Sequence, residues 1–413
     1  MIQAPRGTFD ILPEDAARRK ALEQMAEKIL GAAGYRRIET PTFEATEVFA
    51  RGVGESTDIV QKEMYTFDDG AGRSLTLRPE VTAPICRAYI EHGMHKLAQP
   101  VKLWYLSTCF RAEAPQRGRY RQFWQVGAEA IGSPTAETDA ELIVVLADLL
   151  EALGVKGTRL HLSSLGTPAT RAAYRDELTA YLHAHSEQLS DEVRGRIDLN
   201  PMRAFDSSDR GTQSVMRDAP KLLDRLDPED AEHFAQVRAL LDDAGLRYEL
   251  DPALVRGMDY YTRTVFEFTS DALGAQSGVA GGGRYDGLIE LLDGPATPAS
   301  GWAAGVERML LASRELTPGV ELVDLYVALA QPDGARAGFE LAREARRAGL
   351  QAQLELAQRS LKGQLRHADR IGARYVAIVG ENGTARLKNM ESGDERDTDL
   401  VNVIPEILRE WRM

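Results

Sequence analysis

Apolar positions in this chain keep two different periods. Over "EDAARRKALEQMAEKILGAAG" the alanines, leucines, methionine and isoleucine return at helical spacing, which predicts a helix stopped at Gly34. "YRRIETPTFE" then reads as extended, with Pro41 suited to an edge or an interface. "RSLTLRPEVTAPICRAYIEHG" predicts a strand that turns at Pro79 into a helix. "VKLWYLSTCFRA" and "RYRQFWQVGAEAIG" are rich in aromatic and β-branched residues and flank a Pro/Gly loop, the pattern of an antiparallel hairpin with a long connection. "ETDAELIVVLADLLEALG" is amphipathic and helical.

From about 170 to 250 the pattern is helical and heavily charged, which reads as an insertion. Strand-rich sequence resumes at "RYELDPALVRGMDYYTRTVFEF" and continues into the glycine-dense "SGVAGGGRYDGLIELL". "ASGWAAGVERMLLAS" enters a helix. After "ELTPGVEL" strand and helix alternate, which predicts a small α/β domain with a largely parallel sheet. The expected architecture is α+β, with a catalytic region over 1–321 and a separate unit over 322–413.

Charge supports that division. The chain of 413 residues carries 63 acidic and 50 basic side chains, a net charge of −13. Residues 322–413 contain 14 of each sign, so the acidic excess lies entirely in the first 321. Such a balance disfavours indiscriminate nucleic-acid binding but leaves room for a local basic surface. Two cysteines, Cys86 and Cys109, are too few for a disulfide framework or a zinc cluster, so a reducing cytoplasm is the default. The apolar runs fall short of a membrane span, and the N-terminus lacks the apolar core of a signal peptide. His92 and His95 read as an exposed helix end rather than a ligand pair.

Against this background "FRAEAPQRGRYRQF" stands out, with Arg111, Arg117, Arg119 and Arg121 in fourteen positions. Strand alternation puts Arg119, Arg121, Phe123, Gln125, Gly127 and Glu129 on one face and Tyr120, Gln122, Trp124, Val126 and Ala128 on the other. A face of Arg, Gln and Glu beside a glycine suits the floor of a polar ligand site, with Gly127 leaving space above the backbone. Clustered guanidinium groups fit a polyphosphate better than a single carboxylate, although an exposed basic hairpin tip has the same sequence. "LVRGMDYYTRTVFEF" adds Arg256 next to Asp259, Tyr260 and Tyr261. "GVAGGGRYDG" lacks the ending of a P-loop and the spacing of a dinucleotide fingerprint. "GWAAGVERML" sets Glu307 and Arg308 on the first turns of a helix.

Together these segments resemble the class II aminoacyl-tRNA synthetases, and among them the histidyl-tRNA synthetase family. The resemblance starts at "PRGTFDILP", includes "TLRPE", the hairpin "FRAEAPQRGRYRQFWQVGAE" and the helix "GWAAGVERML", and is made specific by "LVRGMDYYTRTVFE" with "AGGGRYDGL". It implies ATP-dependent activation of histidine to an adenylate, release of pyrophosphate, and transfer to the 3′ end of tRNA. By similarity, Arg111 holds the α-phosphate and the carboxylate, with Arg256 opposite it in place of a metal ion. Arg119 and Arg308 hold outer phosphates or stack on adenine, and Arg121 and Phe123 complete the nucleotide site. Glu129 and Tyr261 take the two imidazole nitrogens. Glu80, Thr82 and Gln125 hold the α-amino group, and Tyr260 and Tyr285 line the pocket. Glu80 taken alone reads as a helix N-terminal acid.

The resemblance also implies Mg2+ carried with ATP, a homodimer built on the "RRIETPTFE" stretch, and an anticodon-binding C-terminal domain. In that domain Lys362, Arg366 and Arg370 recur every four residues as one basic stripe, a candidate tRNA surface. Ala114 and Trp124 depart from the commonest family residues without removing a catalytic group. A rival expectation is the non-catalytic regulatory subunit of ATP phosphoribosyltransferase. Those subunits typically lack the C-terminal domain and the intact arginine-bearing signature. A synthetase for glycine, threonine or proline is opposed by "RGMDYYTRTVFE".

Overall fold

The computed structural model describes residues 2–54, 57–254, 258–274, 277–313, 323–380 and 383–410. The chain divides into two compact units, Met1–Pro318 and Gly319–Met413. The first is built on an eight-stranded sheet. Its order is Arg36–Arg37, Val101–Phe110, Gln122–Ile131, Ala299–Gly305, Gly278–Arg284, Thr262–Ser270, Thr158–Ser164 and Glu249–Leu250. The six central strands pair antiparallel, and a two-residue strand adds in parallel at each edge.

Alternation along Gln122–Ile131 explains the two faces of this sheet. Val126, Ala128 and Ala130 point into a core with Trp104, Phe266 and Trp302, sealed by the helices Pro13–Ala32, Ala136–Ala152 and Pro228–Asp243 through Leu22, Leu146 and Phe234. A fully buried leucine such as Leu146 contributes about 2–3 kcal/mol by desolvation. The opposite face carries Tyr105, Tyr261, Val265 and Tyr285, and on it the polar residues of the site are laid out.

The extended stretch near Pro41 is split. Arg36–Arg37 joins the main sheet, while Phe43–Ala45 joins a small sheet with Ser74–Leu77 and Tyr65–Asp68. Residues 168–243 form a run of helices with a core of their own, in which Tyr174, Leu178, Leu182, Leu189 and Val215 are buried. In the second unit Ala352–Leu354, Leu325–Leu329 and Tyr375–Val379 are parallel. The expected parallel sheet then ends in an antiparallel pair, Thr384–Asn389 with Glu395–Asp399. Among the described residues no helix is long and apolar enough to cross a membrane.

Candidate active site

A cavity of about 700 Å³ opens on the polar face of the catalytic sheet. Arg111, Arg119, Phe123, Gln125, Glu80, Thr82, Tyr260, Tyr261, Tyr285 and Arg308 all line it. Hairpin and helix residues far apart in sequence therefore share one chamber. Arg256 lies outside the described residues.

The hairpin behaves as alternation requires only where it is a strand, from Gln122 onward. Residues 111–121 form the connection between the strands, and this changes the role of Arg121. Its backbone N–H donates to the Gly7 carbonyl at 2.8 Å, and its guanidinium reaches the carbonyls of Glu113 and Arg6. Arg121 thus fastens the N-terminal "PRG" segment to the loop and is not part of the cavity wall, contrary to the expectation from alternation. Arg117 is exposed.

Arg111 is aimed by two contacts. Its Nε donates to the Pro79 carbonyl at 3.0 Å, and its guanidinium lies 5.3 Å from the centre of the Phe123 ring. Its terminal nitrogens make no hydrogen bond among the described residues, so they are available to an anion. Arg119 pairs with Glu113 at 3.3 Å. Arg308 donates to the Gly278 carbonyl. Burial holds its guanidinium below the ordinary arginine range, and the charge of nearby Arg119 adds to the effect. A bound polyanion would relieve both.

Glu129 lies beneath the cavity floor rather than on it. It is wholly buried, accepting from Thr82 Oγ1 at 2.8 Å on one oxygen and from the Tyr285 hydroxyl on the other. Burial drives its carboxyl up to about 8, against the downward pull of those two bonds and with a further push from Glu80. Thr82 and Tyr285, which line the cavity, hold both Glu129 oxygens, so an imidazole that meets Glu129 directly must displace one of them. Gly301 is required here, because a Cβ on it would overlap the Glu129 carboxylate. Gly127 makes space as expected, but for protein: its cross-strand partner Tyr105 lays its ring where a Cβ would stand.

Glu80 satisfies both of its readings. Its carboxylate accepts from the N–H groups of Thr82 and Ala83 at 2.8 and 3.0 Å, capping the helix Thr82–Glu91, and it also faces the cavity. Burial raises its proton affinity despite those bonds. Gln125 Oε1 accepts from Cys109 Sγ at 3.4 Å. Tyr260 packs against Tyr261 and Tyr285 at 4.7 and 5.6 Å between ring centres, making one aromatic wall.

Two motif residues make structural contacts, and one of them, Glu307, also lines the cavity. Arg284 of "AGGGRYDGL" is completely buried and turned from the cavity, donating to both Asp139 oxygens, to Asp286 and to the carbonyls of Ser133 and Thr135. His233 and Ser300 complete the shell around Asp139. Glu307 receives the Trp124 N–H at 3.1 Å and pairs with Arg19 at 2.6 Å, so Trp124 packs under Arg19 away from the cavity. Sequence reasoning missed four liners from the strand end and insertion, Leu165, Arg171, Asn200 and Met202, which sit in a segment indistinguishable from an ordinary charged helical surface. In the second unit Lys362, Arg366 and Arg370 are exposed along the helix Leu361–Arg370, while Gln364 and Ala368 face inward.

Comparison with known proteins meets this geometry from outside. The family model described as histidyl-tRNA synthetase matches residues 7–309, and that described as anticodon binding domain matches 327–410. The histidine–tRNA ligase of Thermosynechococcus vestitus is 47% identical over 399 residues, covering 95% of this chain and 93% of that protein. The histidine–tRNA ligase of Halorhodospira halophila is 48% identical over 405 residues, covering 96% and 95%. The crystal structure of apo S. aureus histidyl-tRNA synthetase matches with a TM-score of 0.82 at 36% identity, over 98% of this chain and 100% of that one.

Proposed function

Because this chain belongs to the histidyl-tRNA synthetase family, we propose a division of labour in its cavity for joining histidine to tRNA. The chain is an aminoacyl-tRNA ligase that uses ATP, histidine and tRNA. The first step is in-line attack of the histidine carboxylate on the α-phosphate of ATP, with pyrophosphate leaving. Both reactants are anions, so fixed cations must bring them together and stabilise the charge that builds on the phosphoryl oxygens. Arg111 serves the α-phosphate and the carboxylate, and Arg256 shares that task. Arg119 and Arg308 hold the outer phosphates, and Phe123 offers its ring to adenine. Mg2+ enters as part of the substrate, as the counter-ion of the triphosphate.

Histidine is selected from beneath. Glu129 serves one imidazole nitrogen, with Thr82 and Tyr285 as its contacts, and Tyr261 meets the second ring nitrogen. The α-ammonium rests on Glu80, Gln125 and the lone pairs of Thr82 Oγ1, whose proton is already committed to Glu129. An apolar amino acid of similar size would leave these groups unpaired, a discrimination of several kcal/mol. The C-terminal unit binds the anticodon region, with Lys362, Arg366 and Arg370 as the contact stripe. The protein acts as a cytoplasmic homodimer, for which exposed Phe43 and Phe67, with ring centres 6.2 Å apart, offer an apolar contact.

The observation that carries this reading is one chamber holding Arg111, Arg119 and Arg308 together with Glu80, Thr82 and Tyr285. Histidine-dependent exchange of pyrophosphate into ATP tests it. The parent exchanges with histidine and not with glycine, threonine or proline, and Arg111→Ala loses at least 100-fold. Absence of exchange with histidine would favour the regulatory-subunit reading.

A further inference from the structure

Arg171 enters the cavity from an element that none of the motifs contains. It sits in the first turns of the helix Pro168–Ala184, the opening helix of the insertion. That helix start is tied firmly to the catalytic sheet. The Thr167 N–H donates to Asp230 at 2.7 Å, and Asp230 in turn accepts from Arg263 Nε at 2.7 Å. The Arg263 backbone N–H donates to the Gly166 carbonyl at 2.9 Å, and its guanidinium also pairs with Glu229 at 2.6 Å. Arg263 is the second residue of the strand Thr262–Ser270, which directly follows Tyr260 and Tyr261. The position of Arg171 relative to the tyrosine wall is therefore fixed by a continuous chain of bonds.

Arg171 is half-buried, yet makes no side-chain hydrogen bond or ion pair among the described residues. Burial holds its guanidinium below the ordinary arginine range, and the charge of Asp259 pulls the other way. A half-buried arginine without a direct partner costs stability, so its retention at a cavity wall calls for an anion that arrives later. The charge of Arg119 acts on Arg308, whereas the charge that acts on Arg171 is that of Asp259. Asn200 and Met202, also from the insertion, line the same chamber and add an amide and a thioether surface, which suit a sugar and a base.

We propose that Arg171 binds a phosphodiester of the tRNA 3′ end and serves the transfer step rather than activation. This rests on the reading of the chain as a ligase of histidine and tRNA. Transfer requires a ribose hydroxyl to reach the adenylate carbonyl. A cation gripping the phosphodiester of that terminal nucleotide fixes the hydroxyl without occupying the reacting atoms. The guanidinium matches two phosphate oxygens at once.

The test compares Arg171→Gln and Arg171→Lys with the parent in two assays: histidine-dependent pyrophosphate exchange, and single-turnover transfer from preformed adenylate to tRNA. For Arg171→Gln, transfer at subsaturating tRNA falls at least ten-fold further than exchange, and Arg171→Lys restores part of the difference. The salt dependence of transfer also weakens, its log–log slope falling by about 0.7 because one phosphate is no longer neutralised. The unfolding midpoint of Arg171→Gln does not fall. Equal losses in both assays would assign Arg171 to the ATP phosphates, and undiminished transfer would remove it from the tRNA site; either overturns the proposal. A parent that fails to exchange with histidine would instead overturn the assignment of function on which it rests.

Discussion

Glu129 makes the stability of the empty protein depend on pH in an unusual direction. Its carboxyl stands at about 8 in the folded chain, against an ordinary value of 4.5, chiefly because burial penalises the anion. Between those values the folded protein holds a proton that the unfolded chain has released. Stability therefore falls as pH rises through this window and levels off above it. Each unit of pKa difference is worth about 1.4 kcal/mol, so the full effect is on the order of 5 kcal/mol. The part falling between about pH 5.5 and 7.5 is roughly 2–3 kcal/mol. Glu129→Gln is the matching perturbation. The amide keeps the shape, accepts from Tyr285 and can donate to Thr82, but cannot ionise. Urea unfolding of the ligand-free protein at the two pH values, followed by tryptophan fluorescence, reports mainly the first unit, where three of the four tryptophans lie, Trp411 belonging to the second. Titrations of groups that do not interact with Glu129 cancel in the difference. The parent should lose roughly 2–3 kcal/mol more than the variant on going to the higher pH. Equal slopes would mean that Glu129 is already ionised when empty, and the picture of a proton stored under the histidine site would be wrong.

Two further outcomes follow from charges at opposite extremes of burial. Asp139→Ala strips the wholly buried Arg284 of its main partner and should destabilise the first unit by about 3–5 kcal/mol in the same urea assay; a loss below about 1 kcal/mol would show that Asp286 and the two carbonyls suffice. Replacing Lys362, Arg366 and Arg370 together by Ala should weaken tRNA binding and flatten its salt dependence while leaving pyrophosphate exchange intact. Unchanged tRNA affinity at low salt would remove this stripe from the interface.

The sequence is most legible where local periodicity governs. The helix ending near Gly34, the strand–helix turn at Pro79 and the two faces of the hairpin from Phe123 onward all follow from spacing alone. Legibility fails where partners come from other strands or where the period stops. Extending alternation back from the strand places Arg121 on the ligand face, but the strand begins at Gln122, and the Gly7 carbonyl captures the Arg121 backbone. Gly127 signals space, yet nothing near it in sequence can say that Tyr105 fills that space, since the two meet only through cross-strand register. Nothing local marks Arg284 as a cation of the core. Only the fold brings Asp139, His233 and Ser300 around it. Arg171 carries no signal at all, because helix periodicity cannot distinguish a solvated arginine from one that topology swings into a cavity.

The placement of acids explains how a chain of net charge −13 can hold a polyanion. Arg119 has Glu113, Arg308 feels Glu113 and Glu267, Arg111 stands near Glu63 and Glu80, and Arg171 has Asp259. Without those carboxylates the converging guanidinium groups would repel one another in a partly desolvated chamber, at a cost of several kcal/mol at low effective dielectric. With them the site is tolerable, and among the described residues Arg111, Arg119 and Arg171 show no buried, two-pronged pair of the kind that locks Arg284 to Asp139. A phosphate can therefore still compete for each cation, because its bidentate contact outweighs a single, partly solvated carboxylate. Burial geometry, rather than the number of arginines, separates the cation that holds the fold from the cations left for substrate.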